Sequence, residues 1–148
     1  MISAETQTVI DQVMAKYINE SDIIVHLKNI FIDCRAMMEL LCNGMVANDH
    51  VDAQAMILNN KRNADPSLFR PYIYVSPLYW AYHKMGNPKS FLTHITKEAV
   101  LKADIIMIPV LNNQHWVLLV AELREGKWKM YDSLPNQMHK AVCNDVVS

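Results

Sequence analysis

Three strand-like runs in close succession constrain this chain most: IIMIPV at Ile105–Val110, HWVLLVAEL from His115 to Leu123, and KWKMYDS from Lys127 to Ser133. In the second run Val117, Leu119 and Ala121 alternate with Trp116, Leu118 and Val120, so both faces are apolar and both need cover, as in a central strand between layers. Arg124-Glu125-Gly126 is a tight connection that makes an antiparallel hairpin of the second and third runs. Pro109 removes a ladder donor, so it belongs at a strand end, an edge or a bulge.

Helical signals precede this sheet. Val9, Ile10, Val13, Met14 and Tyr17 recur at intervals of three and four, the stripe of an amphipathic helix. Two short β-like runs, Ile23 to Val25 and Ile30 to Ile32, follow. Asp33 is placed to cap a helix carrying Ala36, Met37, Leu40 and Leu41, which Asn43-Gly44 ends. A further helix is expected from Asp49 to about Lys61, with Val51, Ala55 and Leu58 inward. YIYVSPLYW alternates like a strand up to Pro77, Tyr79 to Asn87 is ambiguous, and Phe91, Leu92, Ile95, Ala99 and Val100 mark a helix from Lys89 to Lys102.

A chain of 148 residues, 51% hydrophobic and with a formal net charge of -1, has enough apolar content for one real core and no electrostatic pull toward nucleic acid or an acidic membrane. No apolar run approaches the roughly 18 residues of a membrane span, and the first residues lack a signal-peptide pattern. Three cysteines, Cys34, Cys42 and Cys143, without CxxC spacing suit free thiols in a reducing compartment. The expected setting is therefore intracellular, in cytoplasm or nucleus.

Why a strand as apolar as VLLVA opens on His115-Trp116, and why its neighbour closes on Asp132-Ser133, is the chemical question. A histidine opening a buried strand sits at the sheet rim, where a carboxylate on the next strand is able to fix its tautomer. With Leu123 placed opposite Lys127, Asp132 falls opposite Leu118, about 10 Å along the strand from His115. Direct contact then needs a bulge or a curl. The alternative is a surface histidine at a strand end and an Asp-Ser turn with no shared chemistry.

Asp104-IIMIPV, Asn112-Asn-Gln-His115-Trp116-VLLV and Lys129-Met-Tyr131-Asp132-Ser133, in that order, resemble the ubiquitin-like-protein proteases. These are the Ulp-type and sentrin-specific (SUMO) cysteine peptidases, with many plant and transposon-borne relatives. Gly44 to Ala53 is similar to that family's "WLNDEVI" helix start, with Val46 standing where the family has tryptophan. The resemblance implies that His115 is the general base, that Asp132 orients its imidazole, and that Trp116 lines the channel for a Gly-Gly tail. It also implies a ubiquitin-like protein or its conjugates as partner and calls for no cofactor, metal, nucleic acid or membrane. The residue types suit the chemistry, because an imidazolium stabilises a thiolate that attacks a carbonyl.

In that family the nucleophile follows the aspartate by several dozen residues, in a Gln … Asp-Cys-Gly context. Here Cys143 follows Asp132 within QMHKAVCNDVV, which reads as one helix, with Gln137 six positions before it. Cys34 and Cys42 precede the histidine in an apolar helix and read as packing residues. The expectation is an α+β, papain-like peptidase domain incomplete at its C-terminus and inactive alone: an N-terminal helical segment at 1–29, a partial Ulp-type domain at 30–148, and an uncovered apolar face or sheet edge. A non-catalytic module binding a ubiquitin-like protein through Trp116 and the aromatics Tyr72, Tyr74, Tyr79, Trp80 and Tyr82 is the alternative. Metal binding by His115, Asp132 and His139 lacks a compact ligand motif.

Overall fold

The computed structural model describes residues 3–17, 19–86 and 95–148, in two compact units, Met1–Ala53 and Gln54–Ser148. In the first, Ser3 caps α1 (Ala4–Lys16) by accepting the amide of Thr6. The expected stripe is helical but thinly covered: α1 has no buried residue, and Val9 is 58% exposed. Strand β1 (Ile23–Leu27) pairs antiparallel with β2 (Ile30–Asp33), a hairpin that straddles residues 29 and 30. Ile30 and Ile32 are buried while Phe31 is exposed, the period of two behind the strand reading. Asp33 ends β2 and caps α2 (Cys34–Asn43), its carboxylate accepting from the Ala36 amide at 2.7 Å. Gly44 then takes the left-handed conformation, φ 66°, and returns its N–H to the Glu39 and Leu40 carbonyls.

Cys34 is buried, as a packing residue should be, but Cys42 is exposed. Eight residues of helix turn Cys42 about 80° around the axis from Cys34, off the covered stripe. Helix α3 (Asn48–Ala64) starts one residue before the expected position. The Ala47 amide donates to His50 Nδ1 at its start.

The second unit is built on a four-stranded sheet ordered β3-β4-β5-β6, with β3 (Tyr72–Tyr74), β4 (Ile105–Asn112), β5 (His115–Glu122) and β6 (Lys127–Tyr131). The last three strands are antiparallel, as expected, but β3 joins β4 in parallel and makes the sheet mixed. The long crossover from Tyr74 to Ile105, which holds α4 (Pro77–Lys84) and α5 (Lys97–Lys102), permits that direction. Pro77 opens a helix instead of closing the strand, a role its fixed φ suits. The aromatic run is thereby divided, with Tyr72 and Tyr74 in β3 and Tyr79, Trp80 and Tyr82 in α4. Thr96 caps α5; Phe91 and Leu92 of the longer helix expected from Lys89 lie outside the described residues.

Pro109 lies in β4 beyond its partner on one side. The β3 pairing ends at Tyr74↔Met107, and Val75 N donates to Met107 O at 2.9 Å. Alternate residues point their N–H and C=O groups to the same side, so the donor missing at Pro109 faces the side where β3 has already left the ladder. No sheet hydrogen bond is lost there.

Val75, Trp80, Ile108, Val110, Val117 and Leu119 form the core with Cys143 and Val146 of α6 (Gln137–Val147). The reading of β5 as a two-face-covered strand holds, since Val117, Leu119, Val120 and Ala121 are all buried. Its last residue, Glu122, is also buried, at 5% exposure, and accepts from Arg70 and Lys129 at 2.8 and 2.9 Å. Those two hydrogen bonds hold its carboxyl at about 2. Among the described residues β6 is the edge strand next to β5, with Trp128, Met130 and Tyr131 exposed.

Candidate active site

His115 owes its place to a two-residue turn. Asn112 ends β4, His115 starts β5, and the two are paired in the ladder, leaving Asn113 and Gln114 as the loop. Both loop residues have positive φ, 48° and 66°. That is the type I′ pattern, whose twist matches that of the flanking strands. Strand alternation puts His115 on the same face as Val117 and Leu119, at the end of the core. Half-buried Trp116 projects to the other face.

Asp132 follows β6 directly. The register is one step closer than the sequence suggested: Lys127 pairs with Glu122, not Leu123, and Tyr131 with Leu118. The loop is therefore four residues long and closes on Gly126 in the left-handed region, φ 62°. Continued by one residue, this register sets Asp132 beside Val117, two residues from His115, or roughly 7 Å along the strand. Side-chain reach closes the rest without a bulge. His115 Nε2 and Asp132 Oδ1 are 2.7 Å apart, a direct hydrogen bond made without the bulge or curl that the expected register required.

A second histidine completes the cluster. His139, on the first turn of α6, places Nδ1 2.8 Å from the other carboxylate oxygen, Oδ2. The two imidazoles stack, with centroids 4.6 Å apart and planes 8° from parallel. The Leu134 amide donates to Oδ1 at 2.9 Å. The Asp132 side chain is 1% exposed, that of His139 8% and that of His115 20%, so His115 is the member that meets solvent. Burial pushes the Asp132 carboxyl up, but the Leu134 amide, His139 and His115 together outweigh it and hold the group at about 2. Asp132 is therefore an anion at neutral pH. With Nε2 turned to Asp132, Nδ1 of His115 is the ring nitrogen left to face a reacting group.

His115, Asp132 and His139 offer three ligand atoms within 4.8 Å of one another, a spacing a metal ion could use. The hydrogen bonding opposes it. Asn136 Nδ2, which only donates, faces His139 Nε2 at 3.1 Å, so Nε2 accepts and the ring proton sits on Nδ1, where a metal would need a lone pair.

The remaining site candidates separate. Cys143 is 4% exposed within the core, and burial first, then the Asp132 charge, pushes its thiol up. That is the reverse of what activates a nucleophile. Asn112, opposite His115, has a buried Nδ2 with no hydrogen-bond partner among the described residues. The sequence pattern did not single out Asn112, and it grouped His139 with Asp132 only as a metal-ligand alternative. The signal for His139 was present: Asn136 immediately before a helical run is an N-cap, and a cap binds the residue three positions on.

A model of the Ulp1 protease family, C-terminal catalytic domain, matches residues 80–147. The fold is also similar to that of the Chaetomium thermophilum Ulp1-like SUMO protease catalytic domain, with a TM-score of 0.68 at 16% identity. That match covers 99% of this chain and 63% of the other, so the present chain spans less than two thirds of that domain. None of the curated proteins matches the chain.

Proposed function

We propose, from the match of residues 80–147 to the model of the Ulp1 protease family's C-terminal catalytic domain, that the chain is part of a cysteine-type peptidase that processes or removes a ubiquitin-like modifier of the SUMO class. The observation that supports this best is the hydrogen bond between His115 Nε2 and Asp132 Oδ1 at the rim of the sheet. His115 is the general base. Its Nδ1 takes the proton of a thiol, and the imidazolium formed is stabilised by Asp132, which stays ionised and holds the ring's orientation. The thiolate attacks the carbonyl carbon of the last glycine of a Gly-Gly tail, the C–N bond breaks as the same imidazolium gives its proton to the departing amine, and water then hydrolyses the thioester. Trp116, beside the base, lines the approach of that tail.

No thiol in this chain fits the nucleophile's part. Cys143 is buried in the same core cluster as Val110 and Val146, Cys34 is buried in the first unit, and Cys42 is an exposed helical residue of that same unit. The chain by itself is thus a non-hydrolytic piece of the machinery. Removing one member of a catalytic unit costs about as much as removing all of it. A role in binding without cleavage is the second reading, favoured by a set base and a Cys143 thiol that burial and the Asp132 charge push up.

The experiment is incubation with a SUMO carrying a C-terminal electrophile, followed by intact mass and peptide mapping of all three thiols. No adduct is expected, while SUMO itself should bind saturably. An adduct at Cys143 that vanishes in His115→Ala would make this chain an active protease. Absence of any SUMO binding would remove the modifier from the reading.

A further inference from the structure

The Asp132 carboxylate is shared by two histidines, and the base mechanism uses one of them. His139 is buried at 6% exposure, lies on a different element from His115, and has both ring nitrogens engaged. What distinguishes it is how its proton is placed. Asn136 is the N-cap of α6, and its Oδ1 accepts the backbone amide of His139 at 2.9 Å. That bond decides the amide's orientation, because turning it over would point the NH2 group at the backbone N–H. The NH2 group is therefore presented to His139 Nε2 at 3.1 Å, and this nitrogen acts as the acceptor. The ring is left with its proton on Nδ1, aimed at Asp132 Oδ2 at 2.8 Å. One capping side chain thus sets the helix start and the tautomer of a residue in that helix's first turn.

We infer that His139 is a positioning residue for the site, held by Asn136 as the neutral Nδ1–H tautomer so that it clamps Oδ2 of Asp132 and leaves Oδ1 to His115. The inference rests on the peptidase reading for the importance of that orientation, but not for its chemistry. The groups around the clamp are consistent with one anion and two imidazoles: Asp132 is ionised, Cys143 is a buried thiol held protonated, and the Leu134 amide supplies the third hydrogen bond to the carboxylate. A neutral His139 places no second cation beside Asp132, so the carboxylate's charge remains available to an imidazolium at His115. The 8° stack keeps the two rings side by side over the two oxygens.

The test uses ring 15N resonances of the full chain, read through long-range 1H–15N couplings, with histidines assigned by substitution. At neutral pH His139 should show a protonated Nδ1 and an unprotonated Nε2. Asn136→Asp keeps an oxygen cap for the helix but replaces the donor facing Nε2 with an acceptor, and Nε2 should gain a proton. His139→Asn keeps an N–H near the Nδ1 position and should leave the His115 Nε2–H resonance close to wild type, whereas His139→Leu should shift it. An Nε2–H tautomer for His139 in the wild type would overturn the inference. So would a His115 resonance indifferent to both His139 substitutions, or stoichiometric Zn2+ displacing the Nδ1 proton. Should His139→Leu fail to fold, Asn136→Asp decides the matter alone. None of these readouts needs hydrolysis or SUMO, so failure of the peptidase reading in the probe experiment and failure of the clamp are separate results.

Discussion

Replacing Gln114 with glycine should stabilise the protein, and the reason lies in the turn that sets His115. Asn113 and Gln114 occupy the two central positions between paired Asn112 and His115, both with positive φ, and both side chains are exposed. Asparagine tolerates that region through local hydrogen bonding, but a glutamine there carries the full Cβ penalty of about 1–2 kcal/mol. Glycine removes the penalty and costs about 0.4–1 kcal/mol through the greater freedom of the unfolded chain. The net gain is about 0.6–1 kcal/mol, subtracting lower end from lower and upper end from upper. With a urea dependence of about 2 kcal/mol per molar, the unfolding midpoint should rise by roughly 0.3–0.5 M. Equilibrium urea unfolding followed by tryptophan fluorescence measures this, with Gln114→Val as the opposite control, since a β-branched residue is worst in that region. The reasoning fails if Gln114→Gly lowers the midpoint or if Gln114→Val leaves it unchanged, because either result means position 114 is not left-handed and His115 does not follow a type I′ turn.

Acid should act through Asp132. Its folded value of about 2 lies below its ordinary 3.8, so the stability it contributes is fully present above the ordinary value and is lost as pH falls through about 2. The gap in thermal midpoint between wild type and Asp132→Asn should narrow over that window, and a constant gap would refute the assignment; Glu122, also about 2, is common to both proteins and cancels. Leu119→Ala, at a site 3% exposed in the middle of β5, should cost about 2–5 kcal/mol in urea unfolding, and a loss below about 1 would mean that α6 does not cover that face. Native alkylation should label Cys42 first, with Cys34 and Cys143 reacting only on unfolding; early labelling of Cys143 would place its thiol outside the core.

Much of this protein was decided locally, and local rules are readable from sequence. Asp33 and Gly44 bound α2 through a side-chain oxygen and a left-handed residue, both properties of one residue and its near neighbours. The three strands from Ile105 to Tyr131 follow from alternation and short connections, and a hairpin's short loop makes partners of consecutive strands. His115 and Asp132 were legible together because each sits at the end of one of those strands on the same rim, and residues at paired strand ends meet whatever else the chain does.

Tertiary structure decided what no local pattern encodes. The parallel placement of β3 beside β4 depends on how α4 and α5 carry the chain between them, and the buried Glu122 finds one of its two cationic partners in Arg70, distant in sequence. The one-step register of β6 depends on the four-residue loop ending in left-handed Gly126, and it decides whether Asp132 lies three residues from His115 or two. Above all, the docking of α6 brought His139 to Asp132. The cap at Asn136 is written in the sequence, but its second consequence, a fixed proton on Nδ1, arises only where a buried carboxylate waits for that proton. The choice of helix face against the sheet is a packing result over the whole core, because Cys143 and Val146 share one buried cluster with Val110, Val117 and Leu119.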